Sequence, residues 1–219
     1  GDDRVKPVVA FSDDNSFDIS HMSEGTRAIM DAWCRQVEAA RSGNGGQVYN
    51  ATPNSTGNVQ YHYITALWGQ SEPFNNEAPL HNSEKCVTGC VATAMSILAY
   101  YHQWPVNGAG TTPEYTYEEY GVQYTVSSNT LGRTYNYTNM LQDYSGGYTT
   151  DQGDAVAALM KDMGTAVKMM YGVSESGAYD KNVPIALTTY FGYSKDMLLV
   201  SHVSYTEDEW VLLLQNNLK

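Results

Sequence analysis

Apolar side chains recur at three- and four-residue steps in five stretches of the chain, and each such stretch predicts a helix. The first follows Ser23 as N-cap and lines up Met30, Trp33, Val37 and Ala40 on one face. The second starts at Cys90 and reaches about Gln103, where Pro105 stops it, because proline keeps the residue before it out of helical geometry. The third, capped by Thr150, groups Val156, Leu159, Met160 and Met163, with Gly164 as its stop. A fourth runs from Val183 to Phe191, with Pro184 in its first turn and Gly192 past its end. The fifth opens on the capping box Thr206-Glu207-Asp208-Glu209 and continues through Leu212 to Leu218.

Extended segments are fewer. Pro7-Val8-Val9-Ala10-Phe11 predicts a short strand, and Met197-Leu198-Leu199-Val200 is a strand-sized apolar run, with His202 in its continuation. Two segments lose all periodicity. Residues 43–58 are rich in Gly, Ser, Thr, Asn and Pro, the composition of a protease-sensitive linker, and predict a domain boundary. From Gly108 to Gly147 the chain is rich in Tyr and Thr and reads as irregular.

Charge narrows the partners. The 219 residues carry 24 acidic and 12 basic side chains, a formal net charge of −12. A nucleic-acid binder needs a basic footprint for phosphates, so this balance excludes nucleic acid. No apolar run approaches the roughly 18 residues of a membrane span. The chain begins Gly1-Asp2-Asp3-Arg4 without a leader, which leads us to expect a removed signal peptide or a start within a longer protein.

Three cysteines, Cys34, Cys86 and Cys90, cannot all pair with one another. Cys86 and Cys90 have a spacing that zinc accepts, but no second Cys/His pair follows, so no metal is expected. The acidic run Asp13-Asp14-Asn15 fails as a calcium loop, because Asp18 occupies the position that requires glycine. No cofactor motif is present. Cys34 lies beside the apolar stripe of the first helix and reads as a small buried hydrophobe.

The stretch that carries chemistry is Cys86-Val-Thr-Gly-Cys90-Val-Ala-Thr-Ala-Met-Ser-Ile-Leu-Ala-Tyr-Tyr-His-Gln-Trp-Pro105. Thr88-Gly89 form a turn and Cys90 begins a long helix. A thiol at a helix N-terminus meets the positive end of the helix dipole and unpaired N–H groups, both of which favour the reactive thiolate. Ala92, Thr93 and Ala94 leave room for another element to approach. On the residues alone this is an activated nucleophile or a structural cysteine.

The run Thr88-Gly89-Cys90-Val91-Ala92-Thr93-Ala94, followed by Tyr101-His102 and Trp104-Pro105, resembles the nucleophile helix of the streptopain family of cysteine peptidases. Upstream, Trp68-Gly69-Gln70-Ser71-Glu72-Pro73-Phe74-Asn75 is similar to that family's Gln-x-x-Pro-Tyr-Asn segment. Tyr135-Asn136-Tyr137-Thr138-Asn139-Met140, Tyr144-Ser145-Gly146, Asp162-Met163-Gly164, Tyr171-Gly172 and Phe191-Gly192-Tyr193 follow in the family's order. The resemblance covers about residues 60–219 and, more weakly, 1–42.

The resemblance implies an α+β, papain-like fold of which mainly the helical half is present, preceded by part of an α+β propeptide. Residues 1–42 would be the C-terminal part of that inhibitory propeptide, 43–58 an activation linker, and 59–219 the N-terminal part of the catalytic domain. Cys90 would attack the scissile carbonyl and form a thioester. Gln70, on its own residues a surface-loop glutamine, would donate a side-chain N–H to the oxyanion hole beside the Cys90 amide. Cys86 has no counterpart in the family pattern and reads as a bystander near the site; a disulfide with Cys90 would be self-inactivating.

A cysteine nucleophile needs a base, normally histidine. His102 lies twelve residues along the same helix, about 18 Å from Cys90 at 1.5 Å per residue. His21, His62, His81 and His202 lack the Gly-His-Ala setting of the family's catalytic histidine, which an Asn-Trp-Gly stretch orients. That histidine is expected beyond Lys219 or on a second chain, and the helical half alone would expose an apolar face including Val91, Met95 and Leu98. The function implied is a secreted, extracellular bacterial endopeptidase, a zymogen as written, acting on proteins or peptides. A non-catalytic binding or inhibitory module of the same fold, or a thiol acyltransferase or amidase, are the alternatives.

Overall fold

The computed structural model describes residues 65–202 and 205–217, together with single positions between 30 and 42. The expected strand at Pro7–Phe11, the Ser23 cap, the 43–58 linker, His21 and His62 lie outside the described residues. Those described fall into two compact units, one spanning 65–198 and the other holding 199–217 with the positions between 30 and 42.

The larger unit is built on two helices. Helix α1, Cys90–His102, buries Ala92, Met95 and Ala99 at three- and four-residue steps, together with Thr93 and Ser96. Helix α2, Thr150–Ala166, answers with Val156, Leu159, Met160 and Met163, all at most 1% exposed. The two helices pack on each other. Met95 is therefore core rather than part of an open apolar face, Val91 and Leu98 are half-buried, and Ala94 is exposed.

Two sequence expectations for α2 need correction. Its N-cap is Thr149, not Thr150: Gln152 N–H donates to Thr149 Oγ1 at 3.3 Å and Thr149 N–H to Gln152 Oε1 at 2.8 Å, a closed capping box. Gly164 does not stop the helix, which runs on to Ala166. A Cβ there would strike the Tyr171 hydroxyl, so the glycine makes room for that side chain.

Short antiparallel pairs form before α1 and within the Tyr/Thr-rich region, which is therefore irregular only in part. Strand β1, Leu80–His81, pairs with β2, Glu84–Lys85. Strand β3, Thr111–Thr112, pairs with β6, Asn129–Thr130, across the hairpin of β4, Tyr115–Glu119, and β5, Val122–Val126. In β4 Tyr117 and Glu119 face inward while Thr116 and Glu118 face out, a period of two. The connecting residues Tyr120 and Gly121 both have positive φ, +48° and +78°, which suits the twist of a two-residue hairpin. A 3-10 turn at Tyr137–Asn139 and helix α3, Asn182–Tyr190, complete this unit, with Phe191 1% exposed and Gly192 at φ +67°.

Arg133 ties the unit together. Its guanidinium donates to both Glu77 oxygens at 2.7 and 2.9 Å, to both Asp162 oxygens at 3.2 and 3.0 Å, and to the Ala158 carbonyl. Asp162, 1% exposed, also accepts from Tyr135 Oη at 2.8 Å and Asn129 Nδ2 at 2.9 Å.

In the smaller unit, helix α4, Glu207–Asn217, opens as expected. Thr206 N–H donates to Glu209 Oε2 at 2.9 Å and Glu209 N–H to Thr206 Oγ1 at 3.4 Å. Residues 197–200 form no strand, and His202 stands in a short 3-10 turn with its ring 5.1 Å from that of Trp210. Positions 34, 35, 37, 38 and 41 are helical as expected, but Cys34 is exposed rather than buried. It lies one place off the stripe of Met30, Trp33 and Val37. Among the described residues no helix is long and apolar enough to cross a membrane.

Candidate active site

Cys90 is the first residue of α1, and its side chain is exposed. The turn before it is fixed by sterics. Gly89 has φ +85°, and a Cβ on it would meet Met169 Sδ at 2.5 Å and Ser176 Cβ at 3.1 Å, so only glycine fits. Its carbonyl accepts from both the backbone N–H and the hydroxyl of Thr93, at 3.1 and 3.0 Å. Thr93 Oγ1 in turn stands 3.1 Å from Thr88 Oγ1. The small polar residue one turn into the helix is thus a clamp on the turn that delivers the thiol.

Gln70 joins the same turn through its backbone. Thr88 N–H donates to the Gln70 carbonyl at 3.0 Å. Two anchors hold the loop that carries it. The Trp68 indole N–H donates to the Leu141 carbonyl at 2.8 Å, and its ring packs 4.8 Å from Tyr100 on α1. Farther along, Phe74 and Asn75 are buried, and Asn75 Nδ2 donates to the Cys86 carbonyl at 2.9 Å. Two candidates distant in sequence therefore meet on neighbouring backbone, and the Gln70 side-chain amide has no hydrogen-bond partner among the described residues.

Of the two described histidines of this unit, one is employed in the core and the other stands at the far end of α1. His81 is 5% exposed, stacks on Tyr124 at 3.5 Å, and spends both ring nitrogens: Nδ1 on Glu119 Oε2 at 3.0 Å, Nε2 on the Tyr117 hydroxyl at 2.9 Å. It is a satisfied core histidine. Burial raises the Glu119 carboxyl against the opposing pull of His81. His102 closes α1 at the end opposite Cys90, about 18 Å away by helical rise.

Cys86 is fully buried, and burial with the nearby Glu119 charge pushes its thiol up to about 12. It is a free thiol, as are Cys34 and Cys90. A thiol so placed stays protonated at neutral pH, which fits a bystander. Met169, Gly172 and Ser176, which pack behind the turn, were not singled out for the site from sequence. Of these the sequence marks only Gly172, in the Tyr171-Gly172 motif. Among the described residues no group of three or more His, Cys, Asp or Glu side chains is assembled to hold a metal.

Residues 68–219 match the model of the peptidase C10 family. The chain belongs to that family. It is 27% identical to the thiol protease/hemagglutinin PrtT of Porphyromonas gingivalis over 99% of this chain and 26% of that protein. It is 26% identical to streptopain of Streptococcus pyogenes over 96% of this chain and 56% of streptopain. Among solved structures, active interpain A, a cysteine protease of Prevotella intermedia, superposes with a TM-score of 0.60 at 34% identity, covering 69% of this chain and 62% of that one. A prointerpain A fragment with a cysteine-to-alanine mutation gives 0.62 at 29% identity, covering 89% and 62%. The fold is accordingly the α+β, papain-like fold of C10 peptidases. The chain spans about a quarter of the Porphyromonas protein and little more than half of streptopain.

Proposed function

We propose that the protein is a cysteine endopeptidase, produced as a zymogen and exported by a bacterium, that cleaves protein substrates through a thioester on Cys90. The observation that carries this reading is the Gly89 turn. It presents an exposed thiol at the first position of α1 while binding the Gln70 segment beside it.

In the proposed cycle a histidine takes the Cys90 proton, and the sulfur attacks the peptide carbonyl carbon. The carbonyl electrons move onto oxygen, where the Cys90 N–H and the Gln70 side-chain N–H receive the charge. As the carbon–nitrogen bond breaks, the histidine returns the proton to the departing amine. Water, deprotonated by the same histidine, then hydrolyses the thioester and frees the thiol. That histidine is read as coming from polypeptide beyond residue 219, contiguous or as a second chain: His81 spends both ring nitrogens in the core, and His102 stands about 18 Å from Cys90 along α1. Residues 1–42 are read as the end of an inhibitory propeptide, 43–58 as the activation linker and 59–219 as the start of the catalytic domain.

The test is digestion of a denatured protein by the full-length gene product. Turnover that disappears in Cys90→Ala is expected. A full-length protein without turnover would move the reading to a binding or inhibitory module of the same fold.

A further inference from the structure

We propose that Ser176 is a positioning residue for this chemistry: its hydroxyl replaces one rung of the backbone pairing that holds Val87–Gly89 and thereby aims the Cys90 N–H. The proposal rests on the reading of Cys90 as nucleophile.

Val87 and Gly172 lie side by side but make only one direct bond, from Val87 N–H to the Gly172 carbonyl at 3.0 Å. The return bond is relayed. Gly172 N–H donates to Ser176 Oγ at 3.0 Å, and that hydroxyl donates to the Val87 carbonyl at 2.7 Å. The segment supplying the hydroxyl is closed on itself, because Met170 and Gly177 exchange both backbone bonds at 2.8 and 3.0 Å. Gly172 is held from behind, since a Cβ on it would strike Glu119 Oε1 and the Glu175 carbonyl.

Ser176 also touches the far end of the run. Its Cβ, with Met169 Sδ, forms the wall that leaves Gly89 no room for a side chain. The three residues before Cys90 are thus pinned from different sides: Val87 by Gly172 and Ser176, Thr88 by Gln70, and Gly89 by Met169 and Ser176. Removing the hydroxyl leaves the Gly172 N–H and the Val87 carbonyl without partners and lets the run turn on its remaining bonds, those of the Val87 and Thr88 N–H groups and those from Thr93 to Gly89. The peptide that turns with it carries the Cys90 N–H, the backbone donor of the oxyanion hole. A displacement of about 1 Å in such a group costs up to about 10²-fold in rate. Cys90 is exposed, so the access of a small reagent to its thiol does not depend on this relay.

The experiment compares the full-length gene product with Ser176→Ala and Cys90→Ala. It measures kcat and KM for a peptide amide, and the rate at which iodoacetamide alkylates Cys90, read by peptide mass spectrometry. In Ser176→Ala, kcat is expected to fall about ten- to hundredfold while KM and the alkylation rate stay within about twofold of the parent. An unchanged kcat overturns the proposal. So does an alkylation rate that falls in step with kcat, or a variant that no longer folds, since the hydroxyl would then hold the fold rather than aim a donor. An inactive Cys90→Ala beside a fully active Ser176→Ala defeats the Ser176 role alone. Retained turnover in Cys90→Ala defeats the nucleophile reading and the proposal with it.

Discussion

Replacing Asp162 by Asn changes the charge at the hub of the larger unit without changing its shape. The buried carboxylate accepts four hydrogen bonds, two from Arg133 at 3.0 and 3.2 Å, one from Tyr135 at 2.8 Å and one from Asn129 at 2.9 Å. All four donors point at acceptor-only oxygens. An amide turns one of those oxygens into an NH₂ group, so two donors, one of them on Arg133, then face a donor, and the ion pair with Arg133 is reduced to a single bond onto a neutral oxygen. Breaking one partner out of a buried pair costs about 3–5 kcal/mol. Arg133 keeps Glu77 and is 34% exposed, which puts the expectation at the lower end, about 3 kcal/mol. For a protein of this size that corresponds to a fall in Tm of roughly 6–12 °C. Tyr135→Phe removes a single bond to the same carboxylate and is expected to cost about 1–2 kcal/mol. Urea unfolding of the full-length protein, with m unchanged between variants, measures both. A loss below about 1 kcal/mol for Asp162→Asn, or a larger loss for Tyr135→Phe, would refute the argument that the charge at this hub is what matters.

Gln70→Ala is expected to lower kcat about 10²–10³-fold with little change in KM, because an oxyanion donor acts in the transition state; unchanged turnover would remove Gln70 from the site. The Glu77 carboxyl responds first to burial, which raises it, but the Arg133 hydrogen bonds and charge, with Lys161, outweigh that and hold it below the ordinary glutamate range. Its folded form binds a proton less readily than the unfolded chain, so its contribution is full above the unfolded pKa and vanishes as pH falls through the folded one. Glu77→Gln should therefore be less stable than the parent near pH 7 and converge with it as pH falls below the ordinary glutamate range; a constant gap in urea midpoints would contradict this. With its thiol pushed up to about 12, Cys86 should resist iodoacetamide in the native protein at about pH 8, while the exposed Cys34 and Cys90 react. Native Cys86 labelled as fast as Cys90 would count against its burial.

What was legible in the sequence is what is local. The capping box at Thr206–Glu209 and the start of α1 at Cys90 depend on neighbouring residues, and both formed where the pattern put them. At α2 two adjacent threonines could each cap, and the deciding partner is the Gln152 side chain, which bonds Thr149. Gly164 carries the local mark of a helix stop, yet its place is set by the Tyr171 hydroxyl, a contact that no local pattern records. The β4–β5 hairpin was missed because its alternation is written in Tyr, Thr and Glu rather than aliphatics, and its turn is Tyr-Gly rather than Asn-Gly. In the site, the position of Cys90 at a helix start could be reasoned from physics, while Gln70 came from family resemblance alone. Ser176 could not be found either way, since its bond to Val87 joins residues 89 positions apart.

The central claim is that Cys90 forms the covalent intermediate. The direct measurement is to mix the full-length gene product with a slowly deacylating ester substrate, quench in acid during turnover, and map the acyl group by peptide mass spectrometry. The account predicts an acyl mass on the peptide containing Cys90, absent in Cys90→Ala, with Cys34 and Cys86 unmodified. Turnover that proceeds with no acyl group on Cys90, or that persists in Cys90→Ala, would contradict it.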